Sequence, residues 1–261
     1  MNSTSPTTDP SRILRHFPAC TRPFLRRCKR NLLDLQDRAA YLTNCISGRD
    51  PCFSPDLRIR TTCLGEGDGR WTISATHLPR HPLVYSFGIG LDVSFDLALI
   101  EGYGAEVYGF DPTPVAKSWL AQQNMPDRFH FVDCGLAAHN GELELALPPN
   151  HGVSFTPLLA SQDLQKGMFP VKTLSTFLSE LGHSRVDIIK IDIEGAEYEI
   201  IDELAQCQDR IGQLLIEFHH RMFDGDNAGD MTRSAMEILR AAGFKLFAIS
   251  PRGLEFSFLR E

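Results

Sequence analysis

The chain has 261 residues, of which 43% are hydrophobic and 23% charged, and this ordinary globular balance excludes a disordered or fibrous protein. Its formal net charge of −7 argues against nucleic acid as the main partner, because phosphate binding requires a basic surface. No apolar run approaches the roughly 18 residues of a transmembrane helix, and the N-terminus lacks the pattern of a signal peptide.

The seven cysteines include no C-x-x-C pair, so no zinc module or other metal site is expected from them. Their odd number favours reduced thiols. The missing transmembrane and signal-peptide patterns predict a cytoplasmic protein. A disulfide among the five cysteines before residue 64 is the alternative.

The first 50 residues differ from the rest in charge, since they carry nine Arg and Lys residues against four Asp. Residues 1–12 are rich in Ser, Thr and Pro, which predicts a disordered tail. Residues 13–50 are predicted to form a basic helical extension, because apolar residues recur there at alternating steps of three and four. This apolar stripe comprises Leu25, Cys28, Leu32, Leu35, Ala39, Leu42 and Ile46. We expect the stripe to pack on the main domain; a homodimer seam and a basic face on an anionic surface are the alternatives.

Residues 51–261 are predicted to form one α/β domain. Its first element is a hairpin, because the glycine-rich segment GEGDG separates Leu57–Cys63 from Trp71–Ser74. From residue 83 onward, short apolar runs alternate with helical stretches, which is typical of a doubly wound parallel sheet. A further hairpin is expected around Asn140 and Gly141, within the long segment 134–172.

The pattern contains seven strands and five helices. The predicted strands are Leu83–Phe87, Glu106–Phe110, Phe129–Val132, Asp187–Ile193, Gln213–Phe218, Lys245–Ile249 and Glu255–Leu259. The predicted helices are Phe95–Gly102, Pro114–Gln122, Leu174–Leu181, Glu197–Ala205 and Met231–Ala242. Because the turn before the last strand is too short for a crossover helix, we expect that strand to run antiparallel.

The ends of the first three strands carry a glycine turn and two aspartates. Gly88 and Gly90 connect a strand to a helix, where bare backbone can contact a ligand, although Val93 replaces the third glycine of the dinucleotide fingerprint. Asp111 ends the second strand, where a carboxylate can bind a ribose or cap the next helix. Asp133 follows the third strand, where it can accept a hydrogen bond from an adenine amino group or serve as a turn residue. Together these positions predict one crevice at the carboxyl edge of the sheet.

The fourth and fifth strands end in charged residues. Lys190, Asp192 and Glu194 are expected on one face of the fourth strand, since side chains alternate along a strand. Glu217 and His219 share a face at the end of the fifth strand. Carboxylates beside an imidazole suit general base chemistry. An ion-pair cluster with Lys190 and a divalent metal site are the alternatives.

At these five motifs the sequence resembles the FkbM-type S-adenosylmethionine-dependent methyltransferases. The strongest match is VDIIKIDIEGAEYEII at residues 186–201. The segment from VYSFGIG to SFD, residues 84–96, is similar to the methyltransferase-like branch of the family, as is the preceding GEGDGRW. The resemblance covers residues 60–260 and implies a Rossmann-like seven-stranded sheet whose last strand is antiparallel.

The resemblance also implies S-adenosylmethionine as the cofactor. Gly88 and Gly90 would line its methionine and ribose part, and Asp111 would hold the ribose. Asp133 would meet the adenine, and Asp192 would lie near the methionine ammonium.

Two cofactor positions depart from the common class I pattern. Ser86 stands where many of these enzymes have an acidic residue, and Asp92 takes the third glycine position, where it can supply the missing charge. These departures motivate the alternative of a non-catalytic or degenerate methyltransferase-fold protein. A second alternative is an enzyme that uses another adenosine ligand.

The function implied is O-methylation of a hydroxyl on a small molecule or sugar. Methyl transfer depends mainly on positioning, but a hydroxyl acceptor must lose its proton, for which Glu194, Glu217 and His219 are the candidate groups. We expect the 13–50 extension and the 134–172 segment to cover the acceptor. Trp71, Phe155 and Phe169 are candidate walls of that site, or else core residues.

Overall fold

The computed structural model describes residues 22–146, 156, 166–223 and 228–260, except for the side chains of residues 22–27 and 228. The predicted tail of residues 1–12 lies outside these ranges, as do Cys20 and Phe155. Among the described helices, none has the combination of length and apolar character required to cross a bilayer. The six described cysteines are all free, so the disulfide alternative finds no support within this part of the chain.

The described elements comprise six α-helices and twelve strands. The helices are α1 (Arg22–Ser47), α2 (Ser94–Tyr103), α3 (Pro114–Leu120), α4 (Leu174–Glu180), α5 (Ile201–Gln206) and α6 (Ala228–Ala241). The strands are β1 (Thr62–Leu64), β2 (Trp71–Ile73), β3 (Leu83–Phe87), β4 (Glu106–Phe110), β5 (Phe129–Val132), β6 (Gly135–Leu136), β7 (Gly141–Ala146), β8 (Lys166–Lys172), β9 (Val186–Ile191), β10 (Ile211–Glu217), β11 (Phe244–Ile249) and β12 (Glu255–Arg260).

The central sheet has seven strands in the order β11-β12-β10-β9-β3-β4-β5. Strands β10, β9, β3, β4 and β5 are paired in parallel, whereas β12 runs antiparallel to both of its neighbours. This confirms the predicted Rossmann-like doubly wound α/β fold with an antiparallel last strand. The predicted hairpin before the sheet is confirmed too, since β1 and β2 pair antiparallel.

Apolar side chains from both faces of the sheet form two core layers. In β3, Tyr85 and Phe87 belong to one layer and Val84 to the other, as strand alternation requires. All three are fully buried. Strands buried on both faces are apolar in nearly every position, which is why they could be recognised in the sequence. The sheet therefore provides a rigid support for the residues at its carboxyl edge.

Two predicted elements end or begin differently in the structure. Strand β9 ends at Ile191, because Glu194 adopts a positive φ of 53° and the chain turns away from the sheet. The helix predicted from Glu197 begins with a 3₁₀ turn over Glu197–Ile200 before α5. Glu194 therefore lies on a turn and not on the strand, but it still lines the cavity at the carboxyl edge of the sheet.

The hairpin predicted around Asn140 and Gly141 is wrong. Strand β7 pairs antiparallel with β8, and β6 pairs in parallel with β8, which gives a separate three-stranded sheet. The physical reason lies in Asn140, whose Oδ1 accepts a hydrogen bond from Thr173 N at 2.9 Å and so directs the chain toward the start of α4.

The expectation that the apolar stripe of α1 packs on the main domain is also wrong. Leu35 is 67% exposed and Ile46 is 89% exposed. The opposite face of the helix contacts the domain, because Asp34 pairs with Arg70 at 2.6 Å and the buried Tyr41 donates to Pro51 O at 3.2 Å. Polar contacts thus fix the orientation of α1 and leave its apolar stripe on the surface.

A buried ion pair joins the segment after α1 to the segment after β10. Asp50 is 2% exposed, and its Oδ1 accepts hydrogen bonds from Arg221 Nε and from His220 Nε2, both at 3.0 Å. Burial opposes ionisation of Asp50, but hydrogen bonds from Arg221, His220 and Asn44 outweigh it and lower the pKa of the carboxyl group. The chain after β10 is therefore anchored next to His219.

Candidate active site

A cavity of about 720 Å³ opens at the carboxyl ends of β3, β4, β9 and β10. In open α/β sheets, ligands bind at this edge, where the connections diverge to opposite faces. The glycine turn after β3, Asp111 after β4, and Asp192 and His219 after β9 and β10 all line the cavity. The sheet therefore brings these predicted motifs together around one space.

The glycine turn passes very close to a neighbouring strand end. Gly88 has a φ of +72°, and a Cβ atom built on it would lie 1.7 Å from the backbone oxygen of Asp192. Its N–H donates to Phe110 O at 2.9 Å. Gly90 has a φ of +51° but faces open space. Only glycine fits at Gly88, whereas Gly90 leaves room for a ligand against the backbone.

Asp111 holds the glycine turn against β4. Its Oδ2 accepts a hydrogen bond from Gly90 N at 3.0 Å, and its Oδ1 accepts from Thr113 N at 2.9 Å and Thr113 Oγ at 2.6 Å. The residue is 5% exposed and lines the cavity. The carboxylate is thus rigidly oriented at the predicted ribose position.

Two predicted cofactor residues do not reach the cavity. Asp133 forms an ion pair with Lys117 on the surface, and its side chain is 41% exposed. Ser86 is fully buried beneath the site and does not line the cavity. Strand alternation explains the second case, because Gly88 leaves the strand while Ser86 still points into the packed layer below α2. Neither side chain lines the cavity, so the structure lends no support to their cofactor roles, which stay predictions.

Asp92 lies at the cavity rim, where it has a structural role. Its Oδ1 accepts a hydrogen bond from Ser94 N at 2.7 Å and so caps the start of α2. Its carboxyl group also contacts Gly69 of the glycine-rich loop between β1 and β2. Asp92 consequently joins that loop to the glycine turn and places one carboxylate at the entrance.

A buried carboxyl group that sequence reasoning missed lies on α2. Asp96 is 2% exposed and lines the cavity. Burial raises its pKa to about 6, against the opposing influence of the Lys190 ammonium and the Ser86 side chain. Lys190 itself donates to Gly88 O at 2.6 Å and lies 5.5 Å from the centre of the Trp71 ring. The acidic residue in the first turn of α2 was visible in the sequence, but its burial was not.

The substitution Asp96→Asn is expected to stabilise the protein at pH 8. The carboxyl group binds its proton more tightly in the folded chain than in the unfolded one, so it lowers stability as pH rises from 3.8 through about 6. Above that range, we expect Asp96→Asn to raise the free energy of unfolding by roughly 1–3 kcal/mol. Urea unfolding at pH 8 and pH 4 tests this, with the exposed Asp68→Asn as the control. Destabilisation of Asp96→Asn at pH 8 that is absent at pH 4 would instead show that Lys190 requires the charge of Asp96.

The carboxylates and the imidazole predicted for proton transfer do meet at one end of the cavity. His219 Nε2 lies 3.7 Å from Asp192 Oδ1, 3.7 Å from Glu194 Oε2 and 3.8 Å from Glu217 Oε1. Nε2 and one oxygen each from Asp192 and Glu194 lie within 4.8 Å of one another, a spacing at which they can share a metal ion. The parallel pairing of β9 with β10 accounts for this convergence.

Glu197, which the sequence placed only at the start of a predicted helix, organises this group. Its side chain is fully buried. Glu197 Oε1 accepts hydrogen bonds from Ile193 N at 3.1 Å and from His219 Nδ1 at 2.8 Å, and Oε2 accepts from Gly195 N at 3.0 Å. The EGxE pattern of the strongest motif was the available signal for this residue.

The acidic surroundings keep His219 protonated at neutral pH. Burial disfavours the imidazolium, but Glu197, Asp192 and Glu217 outweigh it and raise the pKa of His219 to about 10. Burial raises the pKa of Glu217, and the neighbouring Asp192 and Glu255 act in the same direction. A base role for His219 requires its neutral form, which these neighbours disfavour, and that role stays a prediction.

Of the two segments predicted to cover an acceptor, only the 134–172 segment lines the cavity. Leu136, Leu143, Leu145 and Val171, from the 134–172 segment, line the cavity together with Trp71. Phe169 is a buried residue that does not line it. No described side chain of the 13–50 extension reaches the cavity either, because α1 packs elsewhere on the domain.

The cavity is strongly acidic. Seven carboxylate residues line it, whereas among its described lining residues Lys190, Arg252 and His219 are the cationic ones. Arg252 is committed to Glu255 and Glu217. Such a lining favours a ligand that carries positive charge over one that carries phosphates.

Comparison with known proteins gives relatives for most of the domain. The curated "Probable methyltransferase-like protein 24" of Rattus norvegicus is 27% identical over 168 residues, which is 63% of this chain and 39% of that protein. Its Homo sapiens counterpart is 26% identical over 64% of this chain and 39% of its own length. The chain thus spans about two fifths of the length of these relatives. Among solved structures, the Methanococcus jannaschii fibrillarin pre-rRNA processing protein matches at 13% identity and a TM-score of 0.43, covering 77% of this chain and 83% of that chain.

The family model described as "Methyltransferase FkbM domain" matches residues 85–246, which include the glycine turn, Asp111 and the acidic group around His219. The matched region is more than half of the chain. The chain therefore belongs to the FkbM methyltransferase family.

Proposed function

We propose that this chain binds S-adenosylmethionine in the cavity at the carboxyl edge of the sheet. The observation that carries the proposal is the carboxylate-rich lining of a cavity built on a glycine turn. S-adenosylmethionine carries a sulfonium and an ammonium against one carboxylate, so its net charge is positive. Dinucleotides and nucleoside triphosphates are polyanions, which this lining would repel.

Each part of the cofactor has a matching part of the cavity. The ribose binds beside Asp111, and the methionine part passes Gly88 and Gly90, whose backbone leaves room for it. The ammonium group meets Asp192, which lines the cavity beyond the glycine turn. Leu136 and Val171 offer an apolar surface for the adenine, in place of the excluded Asp133.

The reaction that this arrangement favours is O-methylation of a hydroxyl on a small molecule or carbohydrate. The acceptor lies at the acidic end of the cavity, where Glu194 can take the hydroxyl proton. The neighbours of His219 favour its protonated form, and burial raises the pKa of Glu217, so both are weaker candidates for the base. The oxygen then forms a bond to the methyl group as the bond from methyl to sulfur breaks, which leaves S-adenosylhomocysteine.

The exposed apolar stripe of α1 supports the homodimer that its spacing suggests.

Calorimetric titration of the purified chain tests the cofactor proposal. We expect S-adenosylmethionine and S-adenosylhomocysteine to bind in the micromolar range, and NAD and ATP to bind at least about a hundredfold more weakly, because their phosphates meet the acidic lining. Tighter binding of ATP or NAD would favour the enzyme that uses another adenosine ligand.

Transfer to a panel of sugars and phenols, using S-adenosylmethionine with a labelled methyl group, tests the reaction. An ether product resists mild alkali, whereas a methyl ester releases methanol, so product stability identifies the acceptor atom. Cofactor binding with no transfer to any acceptor would favour the non-catalytic alternative.

A further inference from the structure

The ligand atoms of Asp192, Glu194 and His219 lie close together at the acidic end of the cavity, but farther apart than hydrogen-bond distance from His219 Nε2. His219 Nε2 is 3.7 Å from both Asp192 Oδ1 and Glu194 Oε2. The other nitrogen of the same ring, Nδ1, approaches Glu197 to 2.8 Å. An imidazole that merely closed an ion-pair cluster would approach a carboxylate as closely on both sides.

The separations match those of ligands around one metal ion. Ligand atoms that each lie about 2.1 Å from a shared ion are at most about 4.2 Å apart. The two distances from Nε2 fall within this limit, and the three ligand atoms all lie within 4.8 Å of one another.

Glu197 holds the histidine as a metal ligand is usually held. It is fully buried and accepts the Nδ1–H proton, which orients the ring and leaves Nε2 facing the carboxylates. This carboxylate–histidine pairing is the common outer shell of metal-bound histidines. The His219 side chain is only 11% exposed, so Nε2 is directed into the cluster and not into solvent.

Several hydrogen bonds hold the turn that carries Glu194. Glu194 has a positive φ of 53°, a conformation that costs a non-glycine residue roughly 1–2 kcal/mol. Glu197 binds the backbone N–H groups on both sides of it, and Thr156 Oγ donates to Glu194 O at 2.5 Å. Backbone strain maintained by so many contacts is typical of functional positions.

We propose that Asp192, Glu194 and His219 bind one divalent cation of the manganese type. Two carboxylate oxygens and one imidazole nitrogen suit Mn²⁺ or a similar first-row ion better than Ca²⁺, which takes oxygen ligands. The ion takes the place of the proton on Nε2 and neutralises the surrounding carboxylates. Lys190 Nζ, 3.8 Å from Asp192 Oδ2, stays on the other oxygen of that carboxylate.

The three ligands come from one wall of the cavity, so the remaining coordination positions face the open space. An acceptor hydroxyl can bind there and would be made more acidic by the ion. This consequence rests on the proposed methyltransferase function, whereas binding of the ion does not. Glu217 remains outside the ligand set.

Manganese binding to metal-free protein, without S-adenosylmethionine, is the test. The signal of free Mn²⁺ in electron paramagnetic resonance measures binding directly, and we expect one saturable site per chain that Mg²⁺ can occupy in competition. Glu194→Gln and His219→Gln should each weaken Mn²⁺ binding by at least about tenfold. Asp68→Asn removes a 93% exposed carboxylate from the same cavity and should leave the affinity unchanged.

Circular dichroism establishes that each variant is folded, and Glu194→Gln keeps the test valid if His219→Gln does not fold. The proposal is overturned if the wild-type chain shows no saturable Mn²⁺ site below millimolar concentration. It is equally overturned if Asp68→Asn weakens binding as much as Glu194→Gln, since attraction would then be unspecific. Titration of S-adenosylmethionine into the metal-free protein tests the proposed function separately.

Discussion

Replacing Asp111 by alanine is expected to abolish S-adenosylmethionine binding while the fold survives. In the unliganded protein, its carboxylate holds Gly90 N and both donors of Thr113, so the substitution frees the glycine turn and removes the proposed ribose ligand together. Each hydrogen bond to a charged group contributes about 1.5–3 kcal/mol. Loss of the two proposed hydrogen bonds from the ribose hydroxyls to Asp111 therefore weakens binding by at least about a hundredfold. Calorimetric titration measures this change directly.

Asp133→Ala provides the matched control for this experiment. Asp133 follows β5 as Asp111 follows β4, but it pairs with Lys117 on the surface and does not line the cavity. We expect its substitution to leave cofactor affinity within about twofold of wild type, because an exposed ion pair contributes little. Micromolar affinity in a folded Asp111→Ala protein would contradict the ribose role, and a strong effect of Asp133→Ala would contradict the proposed position of the adenine.

Gly88→Ala is expected to destabilise the whole domain. A Cβ atom at this position would lie 1.7 Å from the backbone oxygen of Asp192, and backbone cannot move aside as a flexible side chain can. The ends of β3 and β9 would have to separate, and the positive φ of +72° adds strain. We expect the free energy of unfolding to fall by about 3–5 kcal/mol, as measured by urea denaturation.

Comparison of Gly90→Ala with Gly88→Ala distinguishes the cost of a positive φ from the cost of a steric clash. Gly90 also has a positive φ, +51°, but a Cβ atom there would have nothing within 4 Å. Only the conformational cost of about 1–2 kcal/mol remains, and the added methyl group enters the space proposed for the cofactor. We therefore expect Gly90→Ala to fold and to bind S-adenosylmethionine poorly. Equal stability of the two variants would show that β3 and β9 can separate freely.

The candidate site was partly readable from sequence because its residues follow recognisable strands. Asp111, Asp192 and His219 each come directly after a buried apolar strand, and parallel strands end at one edge of a sheet. Asp133 follows the same rule and yet lies outside the cavity, where it pairs with Lys117 of the preceding helix α3 on the surface. A position at the end of a strand therefore predicts proximity to the site, but not the direction of the side chain.

Glu197 and Asp96 lie at the site, but the sequence did not predict them there. Both occur in the first turn after a strand–loop connection, where an acidic residue has a sufficient local explanation in the helix dipole. Their burial depends on what packs over them, and for Glu197 on the convergence of the turn at Glu194 with His219 from another strand. Contacts between residues more than 20 positions apart leave no local pattern to read.

The sequence alone determined the fold class, the strand positions and the antiparallel last strand, because apolar periodicity and turn chemistry are local properties of the chain. It also determined the family, through the motif at residues 186–201. The tertiary structure decided which face of α1 meets the domain, which aspartates reach the cavity, and that the neighbours of His219 favour its protonated form. These outcomes depend on burial and on the sum of nearby charges, and both exist only once distant segments have packed together.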